Sequence, residues 1–219
     1  ARAAERFGVP FTLSTMSICS IEDVAENTDK PFWFQVYTLK DDDFMRRLFA
    51  RAKDANCSAL AITADLQIMG QRHKDVKSGL SAPPKLTPAS VANMMTKVRW
   101  GLGMLGTRRH TFGNVVGHAK GVDATGSLSE WTSKAFDHAL DWDRIRELRS
   151  WWDGPVILKG ILDVEDAKRA VDVGADAIVV SNHGGRQQDG ALSAIRMLPS
   201  ILEAVGVKVE VHFDSGIRS

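Results

Sequence analysis

The chain has 219 residues, of which 44% are hydrophobic and 25% charged, a composition typical of globular rather than disordered or fibrous proteins. The formal net charge of +1 excludes the strongly basic surface of a general nucleic-acid-binding protein. No apolar run is long enough for a membrane span, and Cys19 and Cys57 lack disulfide or metal-ligand spacing, which indicates reduced thiols in a cytoplasmic protein.

Six short apolar segments alternate with helical patterns along the chain. Several are almost continuously apolar, as expected for strands buried on both faces of a parallel sheet. Residues 41–56 and 163–176 have helical periodicity, with acidic residues in the first turn of each predicted helix. In the second segment, Asp163 is the predicted N-cap and Gly174 is predicted to end the helix. The predicted strands are residues 11–13, 31–37, 59–65, 155–160, 177–182 and 209–214.

This alternation favours either a (β/α)8 barrel or a doubly wound sheet. No strand is followed by the GxGxxG turn of a dinucleotide-binding sheet, which argues against the second fold. Polar residues stand at the carboxyl ends of most predicted strands, where a barrel gathers its catalytic groups at one mouth. We therefore predict an α/β protein with one (β/α)8 TIM barrel over residues 1–219. The polar strand-end residues are Gln35, Tyr37, Thr63, Asp65, Lys159, His183 and Asp214.

Residues 78–140 interrupt the strand–helix rhythm and are interpreted as an insertion over one face of the barrel. Within it, residues 91–114 mix apolar side chains with the basic residues Lys97, Arg99, Arg108 and Arg109, a composition typical of segments that rest on a membrane surface. A flap packed over the active site is the alternative. A full barrel of eight strands takes about 250 residues, so the shorter strand count and an end within FDSGIRS indicate a truncated barrel.

The segment SNHGGRQQDG, residues 181–190, carries the strongest functional signal. A histidine and an arginine on a glycine-rich turn at a strand end fit proton transfer and carboxylate binding, the usual tasks of imidazole and guanidinium groups. Taken alone, each residue also has a structural interpretation: a packed His183, a helix-capping Asp65, a solvated basic loop around Arg72. The other histidines show no paired spacing, so no metal site is predicted.

Together with LKGI and DLQIMGQRHKD, this motif makes the chain resemble the FMN-dependent α-hydroxy-acid-oxidising family, most of all its bacterial L-lactate dehydrogenase branch. The resemblance also includes LSTMSICSIEDVA, PFWFQVY and GADAIVVSNHGG, and so extends over essentially the whole chain. It implies a (β/α)8 barrel that carries FMN at its mouth. The implied reaction is the oxidation of an L-2-hydroxy acid, L-lactate in this branch, to the 2-keto acid.

The resemblance implies roles for individual residues. His183 takes the proton of the substrate hydroxyl as hydride passes from Cα to FMN. In the rival carbanion mechanism it takes the Cα proton instead. Asp65 stabilises the imidazolium that either step creates. Arg186 and Arg72 bind the substrate carboxylate, and Tyr37 hydrogen-bonds the substrate. The residues implied to hold the flavin or to lead to its phosphate are Ser14, Gln35, Thr63, Asp214, Arg218 and, at the N1/O2 edge of the ring, Lys159.

Relative to the family, the first and last barrel strands are absent, and Gln188 replaces an apolar residue. A barrel without those strands cannot close and is expected to bind FMN poorly. The resemblance implies a quinone, a cytochrome or oxygen as electron acceptor, and a homotetramer. We expect a cytoplasmic location, with peripheral contact to the inner face of the cell membrane through residues 91–114.

Two other functions stay open at this point. A barrel lyase or isomerase would use Lys159 as a Schiff-base nucleophile or general base and would carry no flavin. A truncated, inactive barrel fragment is the second alternative, although the catalytic set of the resemblance is intact in the sequence.

Overall fold

In the computed structural model, six parallel strands form one sheet in which each strand pairs with the next along the chain. The structure describes residues 1–66, 70, 73–78, 87–107, 109–122, 131 and 134–217. Parallel strands in sequential order, joined by helical crossovers, are the arrangement found in consecutive strands of a (β/α)8 barrel, so the predicted fold class is confirmed. The strands are β1 (Thr12–Ser14), β2 (Trp33–Tyr37), β3 (Ala59–Thr63), β4 (Val156–Ile161), β5 (Ala177–Val180) and β6 (Glu210–Phe213).

All six predicted strands are present, but β3, β5 and β6 end earlier than the apolar pattern suggested. Each of these strands ends shortly before a polar residue of the predicted site. One further backbone hydrogen bond to the neighbouring strand follows the end of each, for example from Ala64 N to Lys159 O at 2.8 Å. Asp65, His183 and Asp214 therefore belong to the turns that follow the strands. Side chains on such turns can point into the barrel mouth without following the strict alternation of a strand.

The helices begin where the sequence provides caps. Asp41 accepts a hydrogen bond from the Phe44 amide at 2.9 Å, and Asp163 accepts from the amides of Glu165 and Asp166, as predicted for that residue. The described helices are α1 (Arg2–Phe7), α2 (Ile21–Ala25), α3 (Asp42–Asp54), α4 (His73–Ser78), α5 (Pro88–Met95), α6 (Val98–Leu105), α7 (Trp142–Ser150), α8 (Val164–Asp172) and α9 (Ala194–Val205).

Alternate residues along each strand face two different layers. One face, with Phe34, Leu60 and Leu158, packs against the helices in the large apolar core. The other face carries a second cluster of mostly small side chains, which fills the concave side of the sheet. The Trp33 ring on β2 and the His212 ring on β6 approach with their centroids 5.7 Å apart, so the sheet curls strongly around this interior. The small-residue cluster consists of Ala59, Ala61, Ile157 and Ala177, with Trp33 and Val179 against it.

The proposed insertion, residues 78–140, has two described parts with different surroundings. Residues 109–122 pack on the barrel: the buried Asn114 accepts a hydrogen bond from Ile21 N at 2.9 Å, and Arg109 pairs with Asp23. The hydrogen bond from Arg109 lowers the pKa of Asp23 below its ordinary value. Helices α5 and α6, in contrast, contain no buried residue. The interpretation of the region as an insertion stays a prediction.

We expect Leu158→Ala to lower the free energy of unfolding by about 3 kcal/mol, because this β4 side chain is fully buried and its loss leaves a cavity. The matched control is Leu105→Ala in α6, where the side chain is 85% exposed and the change should stay within about 0.5 kcal/mol. Urea unfolding followed by circular dichroism measures both. Equal losses in the two variants would contradict the assignment of Leu158 to the core.

Candidate active site

A cavity of about 390 Å³ opens at the carboxyl ends of the strands. Its floor is the apolar inner face of the sheet, and its rim carries the polar side chains predicted from the strand ends. This size lies within the range of pockets that hold a small organic ligand or cofactor, about 300 to 1,000 Å³. The lining residues are Thr12, Ser14, Trp33, Gln35, Tyr37, Ala61, Thr63, Ile157, Lys159, Val179, His183 and Asp214.

One wall of the cavity is a row of neutral polar side chains on the first three strands. The Ser14 hydroxyl donates to Gln35 Oε1 at 2.7 Å, and Gln35 Nε2 donates to the Thr63 hydroxyl at 2.7 Å. Gln35 and Thr63 are buried, although neither lies in the apolar core. This row offers donors and acceptors side by side, an arrangement suited to the edge of a flat heterocycle.

The strands that follow, β4 to β6, and the turns after them carry charged groups. Lys159 on β4 lies beside Asp214, with 3.4 Å between Nζ and Oδ2, and its ammonium donates to Ser181 Oγ at 3.1 Å. The Lys159 side chain is only 22% exposed. A half-buried ammonium fixed by a carboxylate and a hydroxyl provides a stationary positive charge next to the cavity.

His183 and Asp65 meet at the rim, with 3.0 Å between Nδ1 and Oδ1. Both side chains are mostly buried, at 18% and 16% exposure. The carboxylate contact occupies Nδ1 and leaves Nε2 as the ring nitrogen for a ligand in the cavity. The second oxygen of Asp65, Oδ2, is buried and has no hydrogen-bond partner among the described residues.

Gly160 makes this pairing possible. It lies between Lys159 and Ile161 at a bulge in β4, and its φ is +98°. A Cβ at this position would come within 2.6 Å of Asp65 Cγ. The carboxylate of Asp65 therefore occupies space that a side chain at Gly160 would fill, above the end of β4.

The remaining predicted residues are distributed as follows. Tyr37 lines the cavity and packs edge-on against Phe136, with the ring centroids 5.6 Å apart. Arg186 is exposed on the turn after His183, and within the described part of the chain its guanidinium forms no ion pair. Arg72 and Arg218 lie outside the described residues. The structure thus brings eight of the eleven residues singled out from the sequence to one cavity mouth, and Arg186 lies on the turn beside it.

Three residues that contact this set were not singled out from the sequence: Gly160, Ser181 and Ser215. Each lies within two residues of a predicted site residue along the chain, in LKGI, SNHGG and FDSG. Their position close to predicted site residues in the sequence could have pointed to them. Their contacts, however, join different strands and cannot be deduced from sequence spacing.

The chemistry of this donor set fits a flavin. The neutral row can hydrogen-bond the polar edge of an isoalloxazine ring, the apolar floor can support its flat face, and Lys159 can offset negative charge that gathers at N1/O2 on reduction. The residues that would hold the ring are Ser14, Gln35, Thr63 and Lys159.

The comparisons with known proteins identify the family. The family described as FMN-dependent dehydrogenase matches residues 1–219. The L-lactate dehydrogenase of Pseudomonas entomophila (strain L48) is 46% identical over 221 residues, which cover 100% of this chain and 58% of that protein. The L-lactate dehydrogenase of Actinobacillus pleuropneumoniae serotype 5b (strain L20) is 48% identical over 223 residues, again with 58% of its length covered.

Solved structures give the same result. The monotopic membrane protein (S)-mandelate dehydrogenase superposes with a TM-score of 0.89 at 32% identity, over 100% of this chain and 57% of that chain. A mandelate oxidase superposes with a TM-score of 0.76 at 38% identity, over 53% of its chain. The chain thus spans less than three fifths of the relatives that it matches.

We expect Gly160→Ala to displace the Asp65 carboxylate from His183, because the new methyl group would overlap it. The imidazole resonances of His183 should shift in the NMR spectrum, together with a loss of stability of about 1 to 3 kcal/mol for the left-handed backbone. Gly174→Ala is the matched control, since Gly174 has a φ of +79° but open space around its missing Cβ. Identical His183 resonances in the two variants would contradict the steric argument.

Proposed function

The chain belongs to the FMN-dependent dehydrogenase family, and we propose that its protein oxidises an L-2-hydroxy acid, L-lactate in the first place, to the 2-keto acid. The observation that carries the proposal is the His183–Asp65 pair at the rim of the cavity that Lys159 also lines. A base and a fixed cation that line the same pocket suit removal of a proton from the substrate hydroxyl and of a hydride from the carbon that bears it.

FMN is the cofactor in this proposal. Ser14, Gln35 and Thr63 would bind the polar edge of its ring, and Lys159 would lie at the N1/O2 edge. The chemistry that bound FMN supplies is the acceptance of hydride, two electrons and one proton, from the substrate carbon. Asp214, and Arg218 beyond the described residues, would continue the site toward the phosphate.

His183 is the proposed base. Its Nε2 would take the proton of the substrate hydroxyl while the Cα–H bond breaks and its electron pair leaves with the hydrogen as hydride. The hydroxyl oxygen then forms the second bond of the keto group, so the balance of atoms and electrons is complete. Asp65 would stabilise the imidazolium that this step creates, since a negative charge 3.0 Å from Nδ1 favours the cationic ring.

The substrate carboxylate would be held by Arg186 and Arg72, because a guanidinium can bind a carboxylate through two parallel hydrogen bonds. The absence of an ion pair between Arg186 and any described side chain supports this role. Tyr37, on the cavity wall, would hydrogen-bond the substrate. L-lactate is favoured because relatives 46% to 48% identical bear the name L-lactate dehydrogenase.

The lyase or isomerase alternative is less well supported. Schiff-base chemistry needs a neutral amine, whereas Lys159 contacts Asp214 and Ser181 as an ammonium does. A colourless protein with a borohydride-trapped adduct on Lys159 would favour that alternative over ours.

The same proposal includes peripheral contact with the cytoplasmic face of a membrane and a quinone as electron acceptor, with a cytochrome or oxygen as the other possible acceptors. None of the helices in the described ranges combines the length and apolar character needed to cross a membrane. Helices α5 and α6 nevertheless expose Met95, Trp100, Leu102 and Leu105 next to Lys97. Because neither helix contains a buried residue, a membrane surface suits them better than a packed flap. Assembly as a homotetramer is also part of the proposal.

We expect the visible flavin absorbance of the FMN-loaded protein to bleach when L-lactate is added without oxygen. His183→Gln should keep the flavin bound but slow the bleaching by about 10² to 10⁴-fold, the usual contribution of a general base. His110→Gln, at an exposed position away from the cavity, is the control and should bleach at the native rate. Native rates in His183→Gln, or no bleaching by any 2-hydroxy acid, would refute the proposal.

We expect the protein to sediment with vesicles that contain anionic lipid. The double variant Leu105→Ser with Trp100→Ser should bind these vesicles about tenfold or more weakly, because each exposed side chain contributes on the order of 1 kcal/mol when it is buried in the membrane surface. Val207→Ser is the control, since Val207 is even more exposed than Leu105 and Trp100 but lies between α9 and β6, far along the chain from α6. Unchanged sedimentation of the double variant would remove α6 as the contact surface.

A further inference from the structure

Ser215 has a backbone conformation that serine rarely adopts. Its φ is +83°, in the left-handed region that favours glycine, and it directly precedes Gly216. A non-glycine residue in this region costs about 1 to 3 kcal/mol, and such residues persist where the surrounding structure holds them in place. Since glycine would be free of this cost, some property of the serine side chain must offset it.

The hydroxyl of Ser215 uses its full hydrogen-bonding capacity. It donates its one hydrogen to Asp214 Oδ1 at 2.8 Å. It accepts from the backbone amides of Asn182 at 3.3 Å and of Gly184 at 3.1 Å. One donated and two accepted bonds are the complete set for a hydroxyl group, so Ser215 holds the backbone on both sides of His183.

The backbone that Ser215 holds is itself strained. His183 has a φ of 55°, also in the left-handed region, and Gly184 and Gly185 follow with φ values of 67° and 69°. Backbone hydrogen bonds of the turn run from Gly185 N to Asn182 O at 2.9 Å and from Arg186 N to His183 O at 3.3 Å, so the amides of Asn182, His183 and Gly184 rely on side-chain acceptors. Ser181 provides a further contact, since its hydroxyl accepts from His183 N at 3.1 Å.

The two serines also connect this turn to the cationic wall of the cavity. Ser181 Oγ accepts from Lys159 Nζ, and Ser215 donates to the Asp214 carboxylate that pairs with the same lysine. The two hydroxyl oxygens are 3.5 Å apart. One compact network therefore supports both the backbone of His183 and the ammonium of Lys159.

We propose that Ser215 is a positioning residue: its hydroxyl fixes the turn Asn182–Gly184 against Asp214 and thereby orients the His183 imidazole toward Asp65 and the substrate. The inference rests on the proposed function, because it assigns to Ser215 the placement of the base in that reaction. The side chain of Ser215 acts through His183 and contacts neither substrate nor reacting atoms.

The test uses two variants that separate the hydroxyl from the backbone strain. Ser215→Ala keeps the Cβ and removes the hydroxyl, while Ser215→Gly removes both the hydroxyl and the strain. In both variants, amide hydrogen exchange at Asn182 and Gly184 should become faster, because the two amides lose their acceptor. In the FMN-loaded protein, flavin reduction at saturating L-lactate should slow by about tenfold or more. The L-lactate concentration that gives half the maximal rate should change less than about threefold, because a misplaced base affects the chemical step more than it affects carboxylate binding.

The outcomes distinguish this inference from the proposed function. Amide exchange is measured without substrate, so it reports on the turn even if no 2-hydroxy acid reduces the flavin. Faster exchange with a reduction rate equal to that of the native protein would overturn the positioning role. Native exchange rates in both variants would overturn the contact itself. A native reduction rate in Ser215→Gly combined with a slow Ser215→Ala would attribute the effect to strain and would also overturn the inference.

Discussion

The contact between Asp65 and His183 is the constraint on which the rest of the site depends. The two residues follow β3 and β5, which are not neighbours, because β4 lies between them in the sheet. Their side chains must therefore meet over the end of β4, with 3.0 Å between the ring nitrogen and the carboxylate oxygen. An ordinary residue at that end would block the meeting, and Gly160 at its bulge leaves the space free. The same bulge follows Lys159 directly, so a single irregularity in β4 serves both the base and the cation.

The electrostatic organisation of the cavity follows from which strands supply its walls. β1, β2 and β3 contribute hydroxyl and amide groups that satisfy one another, as in the bonds from Ser14 to Gln35 and from Gln35 to Thr63. Ionic groups come from β4, from the turns after β5 and β6, and from Asp65 after β3, whose carboxylate reaches over β4 to His183. Charge is thereby confined to one half of the mouth, where the ion pair between Lys159 and Asp214 keeps the cation in place. A planar ligand between the two halves would have a neutral edge on one side and a cation on the other.

The sequence predicted the strands, the N-cap Asp163 and the convergence of the polar strand ends well, because each depends on local periodicity or on the common direction of parallel strands. It did not predict the contacts of Gly160, Ser181 or Ser215. Their importance arises from distances between residues on different strands, and a glycine at a bulge resembles any other glycine in a sequence. The roles of Arg72 and Arg218 stay predictions, since both lie outside the described residues.

The strand-borne groups also indicate where substrate choice must arise. In the proposed function, a base for the hydroxyl and a guanidinium for the carboxylate would recognise features that every 2-hydroxy acid shares. The relatives include proteins named for lactate and for mandelate, whose α-substituents differ from a methyl to a phenyl group. If one catalytic set serves both, discrimination must come from the walls around the substituent, which the segments between strands and helices supply. Such segments vary in length and composition at little cost to the barrel, because they contribute few side chains to its core. One set of strand-end residues combined with different connecting segments would therefore let one chemistry act on different hydroxy acids.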